Sequence, residues 1–317
     1  MRARLAVLVL LIVGCAEEPA VGSDAGAIVA DAAIDAAPPR DATSPPIDAA
    51  EIADDVSSSS DVGPFAPPIS AGCVDGAGLP EGESTFTLEG RDRRYILRLP
   101  AEYTRDRAWP LVLALHGNGG SASYWDGTSG TRNIRGVLRD DAILIVAEAI
   151  DGNWRDYDQP ASTWPARVES ELLYFEEVLT QARSALCIRE DAIFAMGFSG
   201  GGSFSGVLAC RRTDIRGIAV GGSVIYFDED DCVGSAAAWI TIGTMELNAG
   251  RTQYRDFFRD RAGCATASVP TEPDPPCIAY DGCDEATPVH YCQHPDGHIW
   301  PAFGSDAMWA FFEQLIE

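Results

Sequence analysis

The sequence predicts an α/β fold: a mostly parallel central sheet with helices on both faces. Three observations carry this expectation. Continuous apolar runs alternate with segments of helical period across the C-terminal two-thirds of the chain. Three glycine-rich turns, after Leu115, Met196 and Ile242, follow such runs, so they gather beyond the carboxyl ends of the strands, where ligands bind in sheets of this kind. Finally, "AIFAMGFSGGGSF" (192–204) passes from an apolar run through a glycine cluster straight into a helical pattern.

The elements follow in order. "RRYILRLP" (93–100) reads as a strand. "PLVLALHG" (110–117) and "AILIVAEA" (142–149) are continuous apolar runs, as expected for strands covered on both faces. The stretch 168–186 places Leu172, Leu173, Phe175, Val178, Leu179 and Ala182 at helical spacing. A strand at 192–198 is followed by a helix at 201–212. "IRGIAVGG" and "AAAWITIG" are two further strands, and "RTQYRDFFRDRAG" and "SDAMWAFFEQLIE" are amphipathic helices.

The N-terminal quarter is different. Arg2 and Arg4 precede an apolar run, Leu5 to Val13, that is too short to span a bilayer. It ends at I-V-G-C, and Cys15 after Gly14 resembles the lipobox of bacterial lipoproteins. Residues 1–15 are therefore expected to be a lipoprotein signal peptide, with Cys15 as the lipidated residue and the membrane touched only through that anchor. Ala16 after the cysteine points to the outer membrane under the enterobacterial sorting rule. Residues 16–72 are Ala, Asp, Pro and Ser with almost no aromatics, which is the composition of a disordered linker. The domain is expected to occupy residues 73–317.

Of the 317 residues, 48 are acidic and 23 basic, a formal charge of −25, which disfavours nucleic acid as a partner. No lysine occurs, and this excludes Schiff-base, Ser-Lys and P-loop chemistry. Besides Cys15 there are Cys73, Cys187, Cys210, Cys232, Cys264, Cys277, Cys283 and Cys292. An even number in an exported chain suggests disulfides, with local bridges in the 264–292 region and a connectivity that the sequence leaves open.

G-x-S-x-G alone is weak, but here it stands between strand and helix, the context a nucleophilic serine needs. Ser199 would project from the turn, and the Gly200 N–H would face a developing oxyanion. "HGNGG" after the 110–117 run offers a second donor, Asn118 or Gly119, with His116 holding the loop. His298 in "DGHIWP" is the candidate base. The turn "GTMEL" supplies Glu246 to orient it, with Asp281 and Asp284 as alternatives. His290, His294 and His298 have a spacing that a helix would turn into a zinc site. Pro288, Pro295 and Gly297 interrupt that helix, so neither a metal nor any other cofactor is expected. Trp154, Trp125 and Trp300, with Trp164 and Tyr124, lie in or beside the strand-end loops as a candidate substrate platform; ordinary loop packing is the other reading.

The combination "LVLALHGNGG", "NW" at 153–154, "GFSGGG", "GTMEL" and "GHIWP" resembles the secreted polyhydroxybutyrate depolymerase, feruloyl esterase and acetylxylan esterase family over about residues 85–317. The resemblance implies an α/β-hydrolase with a Ser-His-acid triad that cleaves esters, polymeric ones included, outside the cytoplasm. Carried over by motif, Ser199 is the nucleophile, His298 the base and Glu246 the acid, in the chain order that fold uses. The family usually has Asp at the acid position and Asn after the serine, where this chain has Glu246 and Gly200. Its acidic pair before the long helix stands here as Glu169 and Glu171. A monomer is expected. A non-catalytic binding protein on the same scaffold, or a peptidase of the same fold, are the alternative readings.

Overall fold

The computed structural model describes residues 67–156 and 159–316. The signal peptide, Cys15 and the linker as far as residue 66 lie outside the described residues. Ten strands form one sheet: β1 (Gly82–Leu88), β2 (Arg91–Arg98), β3 (Trp109–Leu115), β4 (Ile143–Ala147), β5 (Ile188–Phe198), β6 (Gly217–Gly221), β7 (Ala237–Gly243), β8 (Ser268–Pro270), β9 (Cys277–Tyr280) and β10 (Val289–His294). Their order is β1-β2-β4-β3-β5-β6-β7-β10-β9-β8. The six inner strands, β4 to β10, run parallel, and the outer strands at each edge are antiparallel.

The apolar runs explain this arrangement. β3, β4, β6 and β7 are buried along their whole length, because helices cover both faces of the sheet. The pleat sends Leu111, Leu113 and Leu115 to one face and Val112 and Ala114 to the other. The first face packs on α3 (Trp164–Ala185), α4 (Gly200–Arg211) and α5 (Ala249–Arg261), through Phe175, Phe204 and Tyr254. The second packs on α2 (Ile134–Val137) and α6 (Gly304–Glu313), through Ile134, Met308 and Phe312. A single-turn helix, α1 (Gly72–Asp75), precedes the sheet.

Several boundaries differ from the sequence expectation. The long helix begins at Trp164 rather than 168, because Pro165 sits in the first turn, where its missing N–H costs nothing. The packed domain begins before Cys73: Glu190 N–H donates to Pro68 O at 2.8 Å, and Ile69 pairs with Arg189. β1 and β8 to β10 lack long apolar runs and were not legible by pattern. Strand β10 takes up residues 289–294, so His290, His294 and His298 do not share a helix face.

The eight cysteines form four bridges, Cys73–Cys187, Cys210–Cys232, Cys264–Cys283 and Cys277–Cys292. The last two are the local staples expected for the 264–292 region. Cys277 and Cys292 are direct cross-strand partners on β9 and β10, so the bridge holds the strand that leads into the His298 loop.

Candidate active site

The site gathers at the carboxyl ends of β3, β5, β6, β7 and β10. β5 ends at Phe198 and α4 starts at Gly200, so Ser199 alone makes the turn. It does so at φ 57°, a left-handed backbone held by the strand and helix on either side. Ser199 N–H donates to Gly221 O at 2.7 Å, and Ser203 N–H donates to Ser199 O at 2.9 Å. The turn is this tight only because position 201 is glycine: a methyl there would lie 2.1 Å from Leu115 O.

From that turn the Ser199 hydroxyl donates to His298 Nε2 at 2.8 Å. On the other side of the ring, His298 Nδ1–H donates to Glu246 Oε2. Glu246 comes from the turn after β7, and its second oxygen accepts Gly243 N–H at 3.2 Å. Burial alone would raise the Glu246 carboxyl. The bonds from His298 and Gly243 and the charges of His298 and Arg251 outweigh burial and hold it below its ordinary value. Asp281 and Asp284 instead bond by their N–H groups to Ala267 and Ala262, beside the Cys264–Cys283 bridge.

The loop after β3 lies against this serine. A methyl on Gly117 would sit 3.6 Å from Ser199 Cβ, and one on Gly200 would meet Asn118 Oδ1 at 2.0 Å. Among the described residues, the N–H groups of Gly200 and Asn118 donate to no protein atom. The expectation for Gly119 is corrected. Its N–H already donates to Gly152 O at 2.8 Å and faces Asn153 Oδ1 at 3.2 Å, so it is not free for an oxyanion.

His116 is fully buried. Its Nδ1–H donates to Gly117 O at 2.7 Å, and its Nε2 accepts Ala149 N–H at 3.2 Å. Burial lowers its pKa, so the ring stays neutral and braces the loop. The Gly152 turn is braced in turn by Glu171, which is buried in α3. Glu171 accepts Ile150 N–H at 3.0 Å and pairs with Arg93 at 2.5 Å and Arg167 at 3.3 Å. Glu169, by contrast, makes a surface pair with Arg211 at 2.8 Å.

Known proteins similar to this chain are esterases. No family model matches the chain. Over 253 residues it is 27% identical to feruloyl esterase D of Neurospora crassa, covering 72% of this chain and 82% of that protein. It is 25% identical to a probable feruloyl esterase C of Aspergillus clavatus, over 77% of this chain and 90% of the relative. Among solved structures, a ferulic acid esterase of Anaeromyces mucronatus superposes with a TM-score of 0.51 at 14% identity, covering 74% of this chain and 89% of that one. A carboxylesterase of Bacillus cereus gives 0.50 at 10% identity, covering 70% and 93%. The chain has the α/β-hydrolase fold and is similar in sequence to feruloyl esterases.

Within this α/β-hydrolase fold the three tryptophans named as a platform are corrected to core residues. Trp125 and Trp154 are wholly buried and Trp300 almost so. The indole N–H of Trp125 donates to Leu115 O at 2.8 Å, and that of Trp154 to His116 O at 2.7 Å. A buried indole needs such a partner, and the last carbonyls of the β3 turn provide it. Trp300 packs edge-on to Trp125, with ring centres 5.3 Å apart. These rings hold the glycine loop in place from below.

Two residues of the site were not singled out in the sequence. Arg251, in the first turn of α5, places Nε 3.0 Å from Glu246 Oε2. Gly222 follows β6 at φ 60°, and a methyl there would come within 2.7 Å of the His298 ring. A paired glycine after a strand was the only signal for it. Gly222→Ala adds left-handed strain and pushes the imidazole away from Ser199. The expected result is a loss of about 10²-fold in kcat, since displacement by about 1 Å is enough for that. Steady-state kinetics on p-nitrophenyl acetate checks it, and an unchanged kcat would show that His298 has slack.

Proposed function

We propose that the chain is an extracytoplasmic serine ester hydrolase working through an acyl-enzyme on Ser199. The observation that carries the reading is the continuous relay from Ser199 Oγ through His298 to Glu246. His298 Nε2 takes the hydroxyl proton as Oγ attacks the ester carbonyl. The N–H groups of Gly200 and Asn118 receive the developing oxyanion, with the α4 N-terminus behind them. His298 then protonates the leaving alcohol, and in the second half it activates water against the acyl-enzyme. Glu246 holds the imidazole in the tautomer that presents Nε2 as acceptor and stabilises the imidazolium as it forms.

The alcohol takes its proton from His298, and this reading sets the acyl group on the other side of Ser199, against the loop after β3. There a cavity of about 460 Å³ opens next to Gly119 and Gly120. It is lined by Ser121, Ser123, Ser129, Tyr124 and Arg132, the last lying 4.2 Å over the Tyr124 ring. Such a lining suits an acyl group that carries hydrogen-bonding substituents better than a plain alkyl chain. The relatives are named feruloyl esterases, and a hydroxycinnamoyl ester is the substrate class that combines both lines of support.

Four disulfides suit an oxidising compartment, and the leader ending at Cys15 supports lipid attachment at a bacterial membrane. The test uses the purified protein. It is expected to be labelled by a fluorophosphonate probe at Ser199 and to release ferulate from methyl ferulate. A protein that neither labels nor hydrolyses any short ester would be a binding module on this scaffold, and the reading would fail.

A further inference from the structure

We propose that Arg251 is a positioning residue that fixes the Glu246 carboxylate against His298. The proposal rests on the roles assigned above to Ser199, His298 and Glu246.

The geometry starts at the head of α5. Asn248 caps the helix by accepting Arg251 N–H on Oδ1 at 3.1 Å, which fixes the backbone from which Arg251 departs. Side chains in a first turn lean towards the helix N-terminus, and here that direction leads to the turn carrying Glu246. Arg251 Nε lies 3.0 Å from Glu246 Oε2, and Nη2 lies 3.3 Å from His298 Nδ1. The Nε contact is an ion pair without an aligned N–H, so charge rather than hydrogen-bond direction carries it. The Glu246 and Arg251 side chains are only 7% and 17% exposed, so solvent screens the pair weakly.

A glutamate has one more rotatable bond than an aspartate, and therefore more ways to leave the imidazole. Gly243 N–H on one oxygen and Arg251 on the other remove that freedom. His294 and Asp296, at the end of β10 and in the loop after it, are a charged pair nearby; their atoms are 3.7 Å apart, and burial lowers the pKa of His294. Arg251 is thus the cation that faces the base from α5, and Glu246 the anion that faces it from the β7 turn.

The test measures kcat and KM for the full chain and for Arg251→Gln, Arg251→Lys and Ser199→Ala, with p-nitrophenyl acetate as substrate. Arg251→Gln is expected to lower kcat about ten-fold with little change in KM. Arg251→Lys keeps the charge beside Glu246, so part of kcat should return. An unchanged kcat in Arg251→Gln, or Arg251→Lys behaving like Arg251→Gln, would overturn the proposal. Should Arg251→Gln fail to fold, Arg251→Lys and Arg251→Met carry the same comparison. A Ser199→Ala protein with parental activity would overturn the hydrolase reading itself, so the two failures are distinguishable.

Discussion

Ser199→Ala is expected to lower kcat on p-nitrophenyl acetate by a factor on the order of 10⁴–10⁶ while leaving the fold intact. The change deletes one oxygen. Neither backbone bond of residue 199, to Gly221 O or from Ser203 N–H, uses the side chain, so the turn keeps its anchors. Alanine is strained at φ 57° as serine is, so little else changes on that account. What disappears is the atom from which His298 takes a proton. The residue of activity would come from the Gly200 and Asn118 donors acting on water attack, which is why the loss stops short of the uncatalysed rate. Circular dichroism and melting temperature should match the parent. A variant hydrolysing at the parental rate would remove Ser199 from the chemistry and with it the acyl-enzyme.

Glu246→Gln is expected to cost about 10⁴-fold in kcat. Glutamine has nearly the same shape, so packing against Gly243 is kept, but its charge is gone. Its amide also presents a donor that can face His298 Nδ1, which favours the tautomer with the proton on Nε2, where it blocks the base. Arg251 makes the loss worse: with no carboxylate between them, its guanidinium lies 3.3 Å from the imidazole nitrogen and resists the imidazolium of the transition state. Single-turnover measurements of acylation and deacylation should both slow, since the same base serves both halves. If kcat holds, the orienting acid is elsewhere, and substitutions at Asp281 and Asp284 come next.

The central strands were legible because nothing but a strand covered on both faces explains apolar runs such as "LVLAL" and "AIFAMGF". The turn carrying Ser199 was legible because glycine is demanded on either side of it. The structure brings Ser199, His298 and Glu246 within contact, three positions nearly a hundred residues apart at the extremes, and each stood beside a strand-end motif in the sequence. The weaknesses have a common physical origin. A sequence shows which residue types occupy a loop, but not which way their side chains turn. Trp125 and Trp154 looked like a platform and proved to be buried props, because the carbonyls that satisfy their indoles belong to Leu115 and His116.

Gly119 looked like an oxyanion donor, but Gly152, far along the chain, already accepts its N–H. Arg251 was invisible for a similar reason. In an amphipathic helix with several arginines, nothing local marks the one that reaches back to a neighbouring turn. β8 to β10 were missed because the segment is short, rich in proline and held by bridges in place of long apolar runs.

The Cys73–Cys187 bridge also decides how the molecule can be held. Cys187 immediately precedes β5, and Ser199 immediately follows it. Eleven extended residues lie between them, a separation of roughly 35 Å at about 3.3 Å per residue. The crosslink therefore stands at the foot of the middle strand, next to the Pro68 and Ile69 pairing with Glu190 and Arg189. The serine sits at the far tip of that same strand. The domain's covalent anchor and its candidate nucleophile thus occupy opposite ends of one strand, so strain entering at the bridge has the whole length of β5 to cross before it reaches the serine.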